Sequence, residues 1–284
     1  MKNAMKDTIG NWGQSAPYWE KHRDAIRRMF SPITEALIQD AHVSPGYKVL
    51  DIGTGPGEPA LTVAALLGRQ GKVFGIDPTP EMISAAQREA IRQGLQNVEF
   101  EVAIANPVPF SSDTFDAIVS RFAIMFFPSP VDALRETLRT LKAGGRMAFA
   151  VWGFADRNPF HYVLSRLIDR YAPQSPTPTE WADAFRFASP GTLLAIFNEA
   201  GAVDASERLL QFTIEAPLSV EAFWDLRSEM SEKLRAKLKL LSAEQIAEVR
   251  IQAIESLRPY ATPQGMSFPA EAIIVSGAKS ETIG

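Results

Sequence analysis

The 284-residue sequence contains no cysteine and only three histidines. The absence of cysteine excludes disulfide bonds, thiolate metal ligands and a cysteine nucleophile, and it fits a reducing compartment. His22, His42 and His161 stand far apart, and none has another histidine or an acid cluster at metal-ligand spacing. We therefore predict no metal site, and we expect the chemistry to depend on other residue types.

Clustered positive charge and long apolar runs are also lacking. The sequence has 29 lysines and arginines against 33 aspartates and glutamates, which gives a formal net charge of −4. Proteins that bind nucleic acid usually carry a basic face, so we predict no nucleic-acid partner. No stretch approaches the ~20 apolar residues of a membrane span, and residues 1–14 lack the apolar core of a signal peptide. We predict a cytoplasmic protein without a membrane span.

A glycine-rich turn between an apolar run and a predicted helix is the most informative feature that is present. The turn contains Gly53, Gly55 and Gly57, and a second apolar run over residues 72–76 ends in Asp77. In an α/β sheet this order places the turn and the acid at the carboxyl ends of neighbouring strands, where ligands bind. The Asp77 carboxylate can then accept hydrogen bonds from two ribose hydroxyls, or it can cap the following helix.

The turn departs from the dinucleotide-binding pattern, which has a third small residue where this sequence has Glu58. A pyrophosphate at the start of the helix would meet the Glu58 carboxylate, which cancels much of the favourable helix dipole. A ligand with a ribose and no phosphate fits better, and S-adenosylmethionine is such a ligand. A dehydrogenase is the alternative outside this class.

Predicted strands and helices alternate along the rest of the chain, which indicates a mostly parallel sheet with helices on both faces. Strands are predicted over residues 48–52, 72–76, 98–102, 114–120, 146–152, about 205–215, and 266–276, the last of them antiparallel. Helices are predicted over residues 15–40 with a kink at Pro32, then 58–68, 80–93, 129–141 with a stop at Gly144-Gly145, 160–171, 189–200 and within 219–258. The segment 173–178 is rich in turn residues.

Several motifs over roughly residues 12–153 together resemble the Rossmann-like (class I) S-adenosylmethionine-dependent methyltransferases. Within that family the chain is similar to the small-molecule group of ubiquinone/menaquinone biosynthesis C-methyltransferases, also described as methyltransferase type 11. Besides the glycine turn and Asp77, the motifs are Pro80-Glu81-Met82, Pro109-Phe110 ahead of residues 115–120, and residues 141–146.

The resemblance implies a doubly wound α/β fold with a seven-stranded, mostly parallel sheet in the order 3-2-1-4-5-7-6. It implies S-adenosylmethionine as cofactor and S-adenosylhomocysteine as product. The reaction would be methyl transfer to carbon, oxygen or nitrogen of a small apolar or aromatic acceptor molecule.

The expected organisation is a single domain over residues 1–284 with helical insertions that cap the acceptor site. Its parts are an N-terminal helical lid (1–42), a cofactor-binding core (43–153), two cap insertions (154–188 and 217–262) and two segments that complete the core (189–216 and 263–284). The oligomeric state is open, with a homodimer as one option.

The resemblance assigns cofactor contacts to residues at the carboxyl edge of the sheet. Asp51 either orients the loop and the cofactor amino group or accepts a structural hydrogen bond, and Met82 either covers adenine or packs in the core. Arg121 pairs with the cofactor carboxylate or an acceptor anion, or it forms a salt bridge at the sheet edge. The full set is Asp51, Gly53, Thr54, Gly55, Gly57, Asp77, Pro78, Met82, Ile104, Ala105, Asn106, Ser120 and Arg121.

One position departs from the family pattern. Many relatives carry an acid after the third strand that accepts from the adenine amino group, whereas this sequence has Ile104. We expect backbone groups near Ala105, apolar contact with Ile104, or the amide oxygen of Asn106 to hold adenine instead.

Methyl transfer from a sulfonium needs no acid for the leaving group, so the sequence points less clearly to catalytic residues. His161 is the best-placed candidate base, although a histidine on a helix face is more often structural. Tyr18, Trp19, Phe122 and Trp152 are candidate acceptor-pocket residues, with core packing as the alternative. Two rivals keep the cofactor pocket: an enzyme with non-methylating chemistry such as a cyclisation, and a non-catalytic binding protein.

Overall fold

The computed structural model describes residues 2–172 and 183–281. Within these residues one mixed sheet runs through the molecule in the order β3-β2-β1-β4-β5-β8-β6, and β7 pairs with β8 alone. The strands are β1 Lys48–Ile52, β2 Lys72–Asp77, β3 Val98–Val102, β4 Phe115–Arg121, β5 Leu141–Trp152, β6 Val203–Ala216, β7 Ala261–Thr262 and β8 Gly265–Ala278.

The first five strands are parallel, and β8 runs antiparallel to both β5 and β6. The predicted fold class and strand order are confirmed. The final strand is the eighth and not the seventh because the two-residue strand β7 forms a hairpin with β8, which the sequence did not reveal. A strand this short leaves no alternation of apolar and polar residues to read.

Helices cover both faces of the sheet. They are α1 Lys2–Lys21, α2 Arg23–Met29, α3 Ser31–Asp40, α4 Ala60–Leu67, α5 Pro80–Arg92, α6 Pro130–Thr140, α7 Pro159–Tyr171, α8 Thr192–Ala200, α9 Val220–Met230, α10 Glu232–Leu238 and α11 Ala243–Leu257. The turn-rich segment 173–178 lies outside the described residues.

Two helix boundaries differ from the prediction. The N-terminal helical region begins at Lys2 and is broken at His22 and Phe30, so that Pro32 lies in the first turn of α3, where its missing N–H is tolerated. The Gly144-Gly145 pair does not stop α6, which already ends at Thr140. The two glycines lie inside β5, whose pairing with β4 shifts register between Phe115 and Ala117, and glycine commonly occupies such irregular positions.

The central strands β1 and β4 are buried on both faces, as expected for a parallel sheet covered by helices, whereas the edge strands β3 and β6 are mostly exposed or half-buried. In β1, neighbouring side chains point to opposite faces, and Val49 and Leu50 are both fully buried in two separate apolar clusters. Packing on both faces holds β1 in the middle of the sheet, and backbone hydrogen bonds align its end with the end of β2. Gly53 and Thr54 donate backbone hydrogen bonds of 2.8 and 3.0 Å to the carbonyl of Ile76, which joins the glycine turn to the end of β2.

The N-terminal helix α1 crosses the carboxyl edge of the sheet. It contacts α5, where a Cβ added at Gly13 would lie 2.8 Å from the Glu81 carboxylate, and Arg88 of α5 forms a 2.7 Å ion pair with Glu20. At its far end Lys21 pairs with Glu229 of α9 at 2.7 Å. Contacts on both sides therefore hold α1 over the ends of the strands.

Candidate functional site

A cavity of about 360 Å³ lies at the carboxyl ends of β1, β2 and β4, beneath α1. Most of the predicted cofactor contacts and two of the predicted acceptor contacts line it. These residues are Gly53, Thr54, Gly55, Asp77, Pro78, Met82, Ile104, Ala105, Asn106, Arg121, Trp19 and Phe122.

The glycine turn brings backbone, without side chains, to the cavity wall. Gly53 has a φ of +74° and Gly55 a φ of +53°, in the left-handed region that favours glycine. A Cβ at Gly53 would lie 2.3 Å from the Cβ of Ala123, whereas a Cβ at Gly55 would meet no protein atom within 4 Å. Gly53 therefore permits close packing behind the turn, and Gly55 leaves open space in front of it.

The Asp77 carboxylate joins the turn to the start of α5. Its Oδ2 accepts from the Gly55 N–H at 3.1 Å, and its Oδ1 accepts from the Thr79 N–H at 2.9 Å. Burial raises the pKa of Asp77, and these backbone hydrogen bonds oppose that shift. The Thr79 side chain is a third donor to this carboxylate, and a carboxylate can accept about four hydrogen bonds, so acceptor capacity remains for one further donor.

Three predicted cofactor residues lie behind the cavity wall. Ser120 donates from Oγ to the Ile52 carbonyl at 2.8 Å, which ties β4 to β1. A Cβ at Gly57 would lie 2.6 Å from a methyl carbon of Leu61, so this glycine permits the turn to pack on α4. Asp51 is fully buried beneath the turn, where its Oδ2 accepts from the Ala60 N–H at 3.1 Å.

The first turn of α4 has few backbone donors to offer a ligand. Pro59 carries no N–H, the Ala60 N–H donates to Asp51, and the Leu61 N–H donates to the Gly57 carbonyl at 2.8 Å. Burial raises the pKa of Asp51 to about 7. The Glu58 side chain lines the cavity and accepts at 2.7 Å from the Thr62 hydroxyl. The helix end that would bind a pyrophosphate is thus closed by the protein's own groups.

The predicted adenine region contains no acid. Ile104, Ala105 and Asn106 all line the cavity, and Ile104 is 37% exposed. Met82 is 3% exposed and also borders the cavity, so it packs in the core and presents one edge to the open space. The backbone N–H of Ala103 donates to the Asp77 carbonyl at 3.1 Å, which holds this segment next to the end of β2.

Arg121 is a buried cation at the cavity, and the nearby Glu58 and Asp51 carboxylates favour its charge. Its Nη1 donates to the Thr34 hydroxyl at 2.8 Å and its Nη2 makes a weak 3.4 Å contact with the Glu58 carbonyl. In the described part of the chain it forms no ion pair, so the alternative of a salt bridge at the sheet edge does not describe it. Burial lowers the pKa of Arg121.

The opposite wall of the cavity is aromatic, and the sequence revealed only part of it. Trp12 and Trp19 lie seven residues apart on α1, with ring centroids 6.2 Å apart, and Trp12 packs edge-on against Phe126 at 5.6 Å. The helical spacing of the two tryptophans was the available signal. Further lining residues that were not predicted as site residues include Ile9, Arg23, Ile26, Arg27, Phe30, Glu58 and Ala123.

Three predicted acceptor or catalytic residues lie one layer behind this wall. Trp152 is 4% exposed and stacks on Phe122 with centroids 4.0 Å apart and planes 5° apart. His161 packs edge-on against Trp152 at 4.4 Å and does not border the cavity. Burial, followed by the charge of Arg227, lowers the pKa of His161 well below its usual value. Tyr18 lies under the Arg235 guanidinium at 5.1 Å.

Phe122 has a φ of +57°, which is an outlier for a bulky residue. It directly follows Arg121 at the end of β4, and its N–H donates to the Ala150 carbonyl at 2.9 Å. Backbone strain of this kind persists only where surrounding contacts fix it, and it is concentrated at functional sites. Phe122 stands where the cavity meets the aromatic wall.

Neither a metal centre nor a membrane segment is found in the described residues. Residues 2–172 and 183–281 contain no group of three or more histidine, aspartate or glutamate side chains that would hold a metal ion. No helix in these two stretches is both long enough and apolar enough to cross a bilayer.

Comparison with known proteins agrees with this geometry. The sequence profile of a family described as "Methyltransferase domain" matches residues 43–176. Residues 43–176 are a methyltransferase domain. The family resemblance carried by the sequence motifs is thereby confirmed.

Several relatives of this methyltransferase domain carry methyltransferase names. The chain is 37% identical to the aklanonic acid methyltransferase DauC of Streptomyces sp. strain C5 over 42% of its own length and 54% of the relative. It is 31% identical to the ubiquinone/menaquinone biosynthesis C-methyltransferase UbiE of Blochmanniella floridana over 48% and 52% of the two chains. The chain spans about half the length of the curated relatives it matches.

A solved structure extends the similarity in fold. The YcgJ protein of Bacillus subtilis superposes with a TM-score of 0.54 at 24% identity, over 88% of this chain and 98% of the YcgJ chain. At this identity the match concerns the fold alone. The methyltransferase domain thus lies within a fold that continues through most of the chain.

Proposed function

We propose that this protein transfers the methyl group of S-adenosylmethionine to carbon, oxygen or nitrogen of a small, largely aromatic acceptor. The observation that carries the proposal is a single cavity with two different walls. One wall is the glycine turn with Asp77, and the other is built from Trp12, Trp19 and Phe122. The names of the relatives, which include a small-molecule methyltransferase, support the same reading.

The chain's residues fit the cofactor. Asp77 lines the cavity and retains accepting capacity for a ribose hydroxyl, and Gly55 leaves open space beside it. Ile104 and Met82 offer apolar surface for adenine. We assign the methionine half to the turn at Gly53 and to the end of β4.

S-adenosylmethionine, when bound, supplies an activated methyl group on a cationic sulfur. The protein then needs to orient the acceptor, exclude water and keep the two reactants in line, which can lower the barrier by several kcal/mol. The aromatic wall and α1 provide such a dry surface, and the Trp19 Nε1–H, buried without an acceptor, is free to donate to an acceptor oxygen. His161 does not border the cavity, so we do not assign it the role of base.

Calorimetric titration with S-adenosylhomocysteine tests the cofactor assignment. We expect wild type to bind and Asp77→Asn to bind at least about tenfold more weakly, because a charge-assisted acceptor becomes a neutral one. Asp116→Asn is the matched control. Asp116 accepts from the Lys48 N–H at 2.8 Å at the opposite end of the sheet, so its loss should leave affinity unchanged.

Turnover distinguishes the proposed reaction from its rivals. Formation of S-adenosylhomocysteine is measured with panels of phenols, quinones and aromatic acids. Cofactor binding without consumption across the panels would favour non-methylating chemistry or a binding role. No binding by wild type would contradict the proposal itself.

A further inference from the structure

Arg27 on α2 borders two open spaces at once. It lines the cavity, and it also lines a surface groove among α2, α3, α4 and α5 whose lining is polar throughout. A second contact links the two spaces, because the Thr62 hydroxyl in the groove donates at 2.7 Å to the Glu58 carboxylate in the cavity wall. The groove therefore adjoins the cavity. Its lining residues are Asp24, Arg27, Arg28, Ser31, Thr62 and Arg92.

Arg27 differs from the two other arginines that border the cavity. Arg23 forms a 2.5 Å ion pair with Glu89, and nearby carboxylates, Glu58 among them, favour the charge of Arg121. Arg27 is exposed, and within residues 2–172 and 183–281 its side chain forms neither an ion pair nor a hydrogen bond. Its guanidinium can therefore offer its full set of N–H donors to a ligand.

The groove carries an excess of positive charge beside Arg27. Arg92 forms a 2.6 Å ion pair with Glu89 and lies 4.0 Å from Asp24, the one acid that lines the groove. Arg28 is exposed and, like Arg27, has no acid within ion-pair distance in the part of the chain that the structure describes. Two neighbouring arginines thus lack a paired carboxylate, which favours an anionic ligand group over an ammonium group.

One face of the N-terminal helices connects the aromatic wall to Arg27. Helical hydrogen bonding continues across the break at His22, whose N–H donates to the Tyr18 carbonyl at 3.1 Å and whose carbonyl accepts from the Ile26 N–H at 3.0 Å. At a rise of ~1.5 Å per residue, Arg27 lies about 12 Å along the helix axis from Trp19. A ligand that contacts both is longer than one aromatic ring. The residues of this face that line the cavity at helical spacing are Trp12, Trp19, Arg23, Arg27 and Phe30.

We propose that the methyl acceptor has an aromatic head, which packs on Trp12 and Trp19 in the cavity, and a carboxylate arm, which Arg27 binds at the edge of the groove. Both tryptophans are half-buried, so part of each ring borders the open space. The planar guanidinium of Arg27 donates to both oxygens of the carboxylate. This inference rests on the proposed function, because it concerns the acceptor of the methyl group.

The test compares 2-naphthoxyacetate with its neutral amide, 2-naphthoxyacetamide, which share an aromatic head and a short arm. Each is titrated calorimetrically into the full-length protein saturated with S-adenosylhomocysteine at low ionic strength. We expect wild type to bind the carboxylate at least about threefold more tightly, the modest gain of an ion pair at an exposed arginine, and high salt to reduce the difference. Arg27→Gln should remove this preference and leave the affinities for the amide and for S-adenosylhomocysteine unchanged.

Arg28→Gln is the matched control, because it removes the same charge from the next residue along α2. Arg28 lines the groove but does not border the cavity. Its replacement should leave most of the preference for the carboxylate intact. Equal losses in the two variants would show that the diffuse positive charge of the groove attracts the anion, and the proposal of a site at Arg27 would be overturned.

The same titrations distinguish an acceptor-binding arginine from a cofactor-binding one. If Arg27→Gln weakens S-adenosylhomocysteine binding and keeps the preference for the carboxylate probe, Arg27 binds the cofactor and the proposal is overturned. Equal affinity of wild type for the two probes overturns it as well. Because Arg27 is exposed, its replacement should leave the Tm unchanged, so loss of the preference is not due to unfolding.

Failure of the proposed function can be told apart from failure of this inference. If wild type binds no S-adenosylhomocysteine, the proposed function fails. The same pair of probes, titrated without S-adenosylhomocysteine into wild type and the two variants, still decides whether Arg27 binds the carboxylate.

Discussion

A methyl group added at Gly55 should weaken cofactor binding, and it should destabilise the fold no more than alanine at another glycine with positive φ. Gly55 lines the cavity, and a Cβ there would meet no protein atom within 4 Å. An added methyl group would therefore occupy cavity space that we assign to the cofactor. We therefore expect Gly55→Ala to weaken binding of S-adenosylhomocysteine at least about tenfold, or about 1.4 kcal/mol.

The loss of unfolding free energy in Gly55→Ala can be compared with the losses expected for alanine at Gly46 and at Gly53. Gly46 has a φ of +83° and Gly55 a φ of +53°, and neither has a neighbour near an added Cβ, so alanine at either should cost about 1–2 kcal/mol of unfolding free energy. At Gly53 the added Cβ would lie 2.3 Å from the Cβ of Ala123, well inside the ~3.5–4.0 Å of a normal carbon contact. Overpacking adds about 1–3 kcal/mol there.

Urea unfolding and calorimetric titration of the three alanine variants separate these effects. Gly46→Ala and Gly55→Ala should lose similar stability, Gly53→Ala should lose more, and only Gly46→Ala should bind S-adenosylhomocysteine as wild type does. Wild-type affinity in Gly55→Ala would refute the reasoning, because the space in front of the turn would then not belong to the cofactor. Weakened binding in Gly46→Ala would show that loss of stability alone impairs the site.

Three further predictions concern the same edge of the sheet. Burial raises the pKa of Asp51 from 3.8 to about 7, so the folded state keeps a proton that the unfolded chain releases, and wild type should lose up to about 4 kcal/mol of stability as pH rises from about 4 to 7. Asp51→Asn should flatten this dependence in urea unfolding, and parallel curves for the two proteins would contradict the shift. Ile104→Asp should strengthen S-adenosylhomocysteine binding several-fold in titration by giving the adenine amino group an acceptor, whereas unchanged affinity would place adenine elsewhere. NAD should not displace S-adenosylhomocysteine in a competition titration, and displacement would revive the dehydrogenase alternative.

The core of the fold could be predicted because its signals are local. The apolar run of β1 and the glycines that end it lie within ten residues, and the alternation of strands and helices follows from short periodic segments. The register shift at Gly144 and Gly145 could not be read, because it depends on how β5 meets β4 across the sheet. Glycine before an apolar run indicates a helix stop or a bulge equally well.

The two walls of the cavity also differ in how far the sequence predicts them, because one is built from a local motif and the other from long-range contacts. Gly53, Gly55 and Asp77 were found because they form a motif with fixed spacing. Trp12 and Arg27 were missed because they reach the cavity only when the N-terminal helices cross the sheet edge, and that placement depends on contacts with residues distant in sequence, such as Phe126. The acceptor wall is built from long-range contacts, so spacing along the sequence carries little information about it.

Two independent features of the start of α4 exclude a pyrophosphate. The sequence predicts this exclusion from the charge of Glu58 beside the helix dipole. In the structure the Asp51 carboxylate accepts the Ala60 N–H and Pro59 contributes none, so the donors themselves are missing. A helix end whose N–H groups are already paired cannot bind phosphate even where no acid faces the ligand. We therefore expect Glu58→Gln, which removes the charge and leaves Asp51 in place, to remain unable to bind NAD.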